Sequence, residues 1–298
     1  MRLRSIFPIS ILCVVLSLSM DLGNSAIAQT GTIPPATPPV PHDSTWHHEL
    51  VVGVNLTQVS FAHWEGGGVN ALAYVASIAG KSVRNDPSTT WTNTYKFAFG
   101  QTRLGNQGIQ TSTDEIDLES LLTYKIDSTI NPYADVSLFT QFAPGYQYPD
   151  SGAAQEVSNF FDPAFIKQSA GMGWFASKAF QTRLGVALRE IVTDNYNQYA
   201  AYPSEPGIHK TRIEGGFESA SQLQFQLDDN VLFGAKLDLF APVKTMDRIV
   251  VHGGFNIVAK ISKYFSAQLN AIFINEPDIS PYTQVQEGLS IGINYSIF

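Results

Sequence analysis

The chain has 298 residues, 18 basic and 26 acidic, with a formal net charge of −8; 44% of residues are hydrophobic and 12% aromatic. No basic stripe exists, which argues against a nucleic-acid partner. The single cysteine, Cys13, leaves no disulfide framework and predicts no thiol chemistry.

Residues 1–28 read as a secretory signal peptide. Arg2 and Arg4 form a basic start, Ile6–Leu18 a short apolar core, and Ala26, Ile27 and Ala28 a small-residue cleavage site before Gln29. The core is too short to span a membrane as a helix. Leu12 precedes Cys13, so a lipoprotein anchor is not expected. Cleavage removes Arg2, Arg4 and Asp21, leaving 16 basic and 25 acidic residues, about −9. Residues 29–45 hold Pro34, Pro35, Pro38, Pro39 and Pro41 and read as an extended periplasmic tether without a core. The folded part, 46–298, is long enough for one large β domain.

From there the pattern has a period of two. Tyr95, Phe97 and Phe99 alternate with Lys96, Ala98 and Gly100; Leu223, Phe225 and Leu227 alternate with Gln222, Gln224 and Gln226. Side chains of a strand point alternately to opposite faces, so each segment has one apolar and one polar face. Strands are predicted near 49–60, 68–79, 91–103, 113–126, 132–144, 167–177, 180–190, 210–227, 231–241, 248–261, 264–275 and 284–298. Most are longer than the five or six residues of an ordinary strand and long enough to cross a bilayer at a tilt. The expected fold is therefore all-β: a transmembrane antiparallel up-and-down β-barrel of about 12 strands, in contact with outer-membrane lipid. The competing fold is a large soluble sandwich.

With the first strand starting in the periplasm, the connections near 177–180, 228–230 and 262–264 are short periplasmic turns, and 145–166 and 191–209 are long outer loops. The connection at 80–90 is an expected long exception. Trp46, Trp91, Tyr124, Tyr133, Phe180 and Tyr264 fall near one set of strand ends, and Trp64, Phe99, Phe142 and Tyr146 near the other, as two aromatic girdles. The last strand ends Ser290, Gly292, Tyr295, Ile297 and Phe298, a spacing that resembles the C-terminal signal read by barrel-assembly machinery.

Polar faces turned inward would line the lumen with bases Lys96, Arg183, Arg189, Lys210, Arg212, Lys236, Arg248 and Lys260. The matching acids are Glu115, Asp117, Glu119, Asp135, Glu214, Glu218 and Asp238. Such a balanced set reads either as paired bracing or as the charged constriction of a solute path. Glu115, Asp117 and Glu119 share a face, but a calcium site needs six to eight oxygens, so pairing with Lys or Arg is the expected fate. His209 and Asp194, or His252, match no G-x-S-x-G or H-E-x-x-H motif, so no enzyme activity is expected. His42, His47 and His48 offer at most a weak metal site. No cofactor is implied.

The stretch from Phe61 to Tyr74 carries Gly66, Gly67 and Gly68. It lacks the lysine of a phosphate loop and leads into a strand, so the glycines read as a tight outer hairpin with Trp64 at the rim. Gln58, Trp64, Gly67, Gly68 and Asn70 also resemble the opening motif of the bacterial DUF3078 family, with His63 where that pattern usually has Asn. Thr140, Gln141, Phe142, Gly145 and Tyr146 resemble its T-Q-F-x-x-G-Y segment. Asn159–Phe165 fits as well. Of the family's Lys-x-x-Asp before the fourth strand, only the acid is kept here. The resemblance implies an outer-membrane-type barrel found mainly in Bacteroidetes, with no known activity or catalytic residues. The leading functional expectation is a narrow channel or transport barrel. A plugged structural or assembly barrel with envelope partners is the alternative, and a barrel enzyme a distant third.

Overall fold

The computed structural model describes residues 45–60, 70–106, 108–147, 153–202, 207–278, 280 and 282–296. The signal peptide, Trp64, Gly67, Gly68, Ile297, Phe298 and all of the tether but its last residue lie outside the described residues.

Alternation is satisfied when the apolar face and the polar face of each strand meet different surroundings. A closed ring of twelve antiparallel strands achieves this. The strands are β1 (Trp46–Val59), β2 (Ala71–Asn85), β3 (Thr89–Leu104), β4 (Gln110–Tyr124) and β5 (Ile130–Thr140). A small hairpin of β6 (Gly145–Gln147) and β7 (Gln155–Ser158) stands outside the ring. The ring resumes with β8 (Ala164–Trp174), β9 (Phe180–Val192), β10 (Thr211–Asp228) and β11 (Val231–Pro242). It ends with β12 (Val250–Lys260), β13 (Phe265–Asn275) and β14 (Gln284–Ser296). Each barrel strand pairs with its neighbour in sequence, β5 pairs with β8 across the small hairpin, and β1 closes on β14. Closure leaves no open sheet edge, which a bilayer demands.

The outer face is apolar along the strands: Val54, Leu56, Leu72, Ile78, Val136, Leu184, Val186, Phe217, Leu289, Ile291 and Ile293 are all exposed there. An apolar belt of this extent on a closed barrel is what lipid solvates. This is a membrane-spanning barrel. At the end where β1 starts, Trp46, Trp91, Trp174, Tyr264 and Tyr295 stand exposed outside, with Trp46 and Trp91 ring centroids 5.4 Å apart. Tyr133 departs from the expected girdle. It is buried, turned inward, and donates to Glu218 Oε1 at 2.8 Å.

Connections at the end where β1 starts occupy 86–88, 125–129, 175–179, 229–230 and 261–264, two to five residues each. At the far end they occupy 60–70, 105–109, 141–163, 193–210, 243–249 and 276–283. The long turn expected at 80–90 is three residues, because β2 runs on to Asn85 and β3 starts at Thr89. Polar Lys81, Ser82, Arg84 and Asn85 continue the ladder, with Ser82 Oγ 2.8 Å from His48 Nδ1, Arg84 Nε 3.0 Å from Asp86 Oδ2 and Asn85 Oδ1 accepting from Thr90 Oγ1 at 3.0 Å. The far-end asymmetry is thus cleaner than the alternation alone implies.

Candidate functional site

The inner face is built by parity. On β3 and β4, Lys96 Nζ meets Glu115 Oε2 at 2.7 Å, with both side chains buried. On β9 and β4, Arg183 Nη2 lies 2.7 Å from Glu119 Oε1 while its Nη1 is 3.6 Å from Asp135 Oδ1 on β5. On β8 and β10, Lys167 Nζ lies 3.0 Å from Glu218 Oε2. Each of these charges taken from water is matched by a partner within the ring, as a buried ion must be.

Tyr133 reaches Glu218 across two intervening strands. Gly171 on β8 and Gly185 on β9 are register partners and leave a trough under the ring. A Cβ on Gly185 would lie 2.5 Å from Tyr133 Oη. Arg183 stacks on the other side, its guanidinium carbon 5.4 Å from the Tyr133 ring centre.

Toward the far end the lumen is closed in by loops. Glu276, just past β13, accepts from Arg189 Nη2 at 2.8 Å on both oxygens and sits 2.7 Å from His252 Nε2. Asp278 on the same loop pairs with Arg212 of β10 and with Arg248 Nη1 at 2.5 Å. Arg212 also holds Glu214 Oε1 at 2.6 Å. For Asp278, burial raises the carboxyl pKa, but the hydrogen bonds and charges of Arg212 and Arg248 outweigh it and bring it below the usual range. Tyr199 and Ala200, in and just after a short 3₁₀ turn (Asn197–Tyr199), are buried at the mouth.

Several of the expected lumen positions move accordingly. Arg248 belongs to the far-end loop 243–249 rather than a strand, because β12 starts only at Val250. Lys210 lies just before β10 and pairs with Asp194 in water at the rim. Lys260 ends β12, exposed at the other end of the barrel. Lys236, Asp238 and Asp117 sit on the inner wall. Lys167, Glu276 and Asp278 join the site without having stood out in the sequence. Lys167 shares the inward parity of Phe165 and Ser169, which is the signal that marks it. The two loop acids carry no periodic signal.

Together these residues line a cavity of about 180 Å³, walled by Asp117, Glu119, Asp135, Lys167, Arg183, Arg189, Lys236, Asp238, His252 and Glu276, with Phe139, Phe165 and Tyr199 among the rings. A second cavity, of about 80 Å³, shares Asp117, Lys236, Asp238 and His252 with it. Among the described residues no group of three or more His, Cys, Asp and Glu is placed to hold a metal ion. His42 lies outside the described residues, and His48 Nδ1 is 2.8 Å from Ser82 Oγ.

The far rim gathers the residues that carry the family resemblance. Asp114 Oδ1 and Oδ2 accept from the backbone N–H of Phe142 and Ala143, both at 2.8 Å. Gln141 Nε2 donates to the carbonyls of Asn159 and Asp162, and Thr140 Oγ1 to that of Pro163. Asp162 in turn accepts from Thr193 Oγ1 and from the N–H of Asp194 and Asn195, so it ties the loop after β9 to the loop before β8. Residues 56–146 match the family model described as "Protein of unknown function (DUF3078)". The matched segment thus runs from within β1 into β6, and of its described residues Asp114, Thr140 and Gln141 hold turns at one rim. Gln58 lies on β1, and the Asn70 carbonyl accepts from Gly105 N–H at 2.6 Å.

No curated protein matches the chain. Among solved structures it is similar to the translocator domain of autotransporter NalP from Neisseria meningitidis, at 11% identity, covering 85% of this chain and 89% of that one, TM-score 0.41. It is also similar to the COG4313 outer membrane channel from Pseudomonas putida F1, at 10% identity over 84% and 94% of the two chains, TM-score 0.40. The NanC porin is similar at 10% identity over 83% and 98%, TM-score 0.35.

Proposed function

We propose that the protein is a narrow channel of the outer membrane, exported by the signal at 1–28 and inserted by the barrel-assembly machinery, with the Pro-rich segment 29–45 on the periplasmic side. The short connections then face the periplasm and the long loops the exterior. One observation carries the reading: two open spaces inside the barrel share a charged wall, on which Lys236 is exposed. Fully paired, close-packed side chains would fill a plug; an exposed charge facing open space belongs to a wetted path. The test is planar-bilayer recording of the purified full chain. Discrete conductance steps in KCl are expected; their absence at any tested salt overturns the channel.

The infolded far-end loops favour a second reading, a barrel closed by its own loops that engages envelope partners. A silent bilayer together with a reproducible partner after mild crosslinking would establish it instead.

A further inference from the structure

We infer that Lys236 is a tethered counter-cation, and that the lumen accordingly takes small monovalent cations in preference to anions. The inference rests on the channel reading and names what that path selects. Four bases line the larger space. Lys167, Arg183 and Arg189 each have a carboxylate within 3.0 Å. Lys236 has no salt bridge within 4.0 Å among the described residues, and it is exposed to the open space. Its charge nevertheless interacts with those of Glu119, Asp238 and Asp117. Asp117 and Asp238 also make no salt bridge within 4.0 Å among the described residues, and they border both spaces beside Lys236.

The lysine therefore shares the wall with three carboxylates from two strands, β4 and β11, and none of them lies within 4.0 Å of its ammonium. A permeating potassium ion would meet the same three carboxylates if the lysine were absent. Leaving His252 aside, the wall of the larger space carries five carboxylates (Asp117, Glu119, Asp135, Asp238 and Glu276) against four bases. The carboxylates around Lys236 attract cations, and Lys236 competes with those cations for one place. A neutral side chain at 236 would leave that place to the permeating ion.

The experiment measures reversal potentials of single channels of the full chain under a KCl gradient, for wild type, Lys236→Gln and the double variant Asp117→Asn with Asp238→Asn. Folding of each variant is checked first by the shift in gel mobility between unheated and boiled samples, with Lys236→Met as the replacement if Lys236→Gln does not fold. Wild type should prefer K⁺ to Cl⁻. Lys236→Gln should raise the K⁺/Cl⁻ permeability ratio about threefold or more, the scale of one unit charge a few ångströms away in water. The double variant should lower it. Conduction with anion preference, or a ratio unchanged in Lys236→Gln, overturns the tethered-cation assignment while leaving the channel standing. Absence of conductance in every folded variant overturns the channel and this assignment with it.

Discussion

Replacing Lys96 by methionine isolates the cost of an unmatched charge inside the wall. Glu115 is 1% exposed at its side chain and Lys96 9%, and the two meet at 2.7 Å between β3 and β4. Methionine fills much of the lysine's volume, so the main loss is electrostatic. Breaking a buried pair on one side costs about 3–5 kcal/mol, because the remaining carboxylate keeps its desolvation penalty and loses the lysine's opposite charge. At about 2–4 °C per kcal/mol for chains of this order of size, the melting midpoint should fall by roughly 6–20 °C. The double variant Lys96→Met with Glu115→Leu removes the penalty as well as the attraction and should recover most of that loss. The assay is the temperature at which half the protein in detergent converts from the fast, folded band to the slow, unfolded band. Because barrels of this kind unfold irreversibly on heating, all variants are compared at one heating time. A single variant that melts with wild type, or a double variant worse than the single, would refute the account of Lys96 and Glu115 as a mutually compensating pair.

Val186, 58% exposed near the middle of β9, should tolerate no charge if it meets lipid. Val186→Arg should cost about 2–4 kcal/mol of folding into liposomes, read as a smaller folded fraction, and equal folding would remove the lipid belt from that position. Gly185→Ala places a Cβ against Tyr133 Oη and the Ala170 carbonyl, and overpacking of this kind costs about 1–3 kcal/mol. Midpoint loss on the same gel checks it, and an unchanged midpoint means the trough is not tight. Burial raises the Asp162 carboxyl pKa, but hydrogen bonds from Thr193, Asn195 and Asp194 outweigh it, so in the folded protein it titrates below its free value. Its contribution is therefore complete above about pH 4 and is lost as pH falls through the lower folded value. Protease cutting within 193–202 should be slow at neutral pH, faster in acid below that folded value, and already fast at neutral pH in Asp162→Asn; pH-independent cutting of wild type contradicts the tie.

Most of the barrel is legible in the sequence because lipid and lumen impose opposite demands at every second residue. Where neither applies, the pattern misleads. Lys81, Ser82, Arg84 and Asn85 carry β2 on past its cleanly alternating part, so their polarity looks like that of a loop. Tyr133 lies near a strand end, as a girdle residue would, although Asp135, two residues on, already marks its face as inward. Arg248 and Lys210 fall in strands only if the period is continued past its last paired residue. Glu276 and Asp278 act through a loop folded back over the lumen, and no local pattern encodes which bases such a loop will meet. The family resemblance points to the far rim and to turns there, which is where Asp114, Gln141 and Asp162 hold backbone groups.

The ring is not uniformly joined. Among the described residues β1 and β14 share six register pairs, 51–56 against 291–296, whereas β1 and β2 share fourteen and β2 and β3 fifteen. A cylinder can part only where some joint yields first, and among the described residues the shortest joint is the one formed by the two strands farthest apart in the chain. It needs both distant strands in place before it can be made, and it is held by the fewest rungs once made. Amide protons of residues 51–56 on the side facing β14 should therefore exchange ahead of those facing β2, and the wall would be expected to unzip sideways into the bilayer along this line.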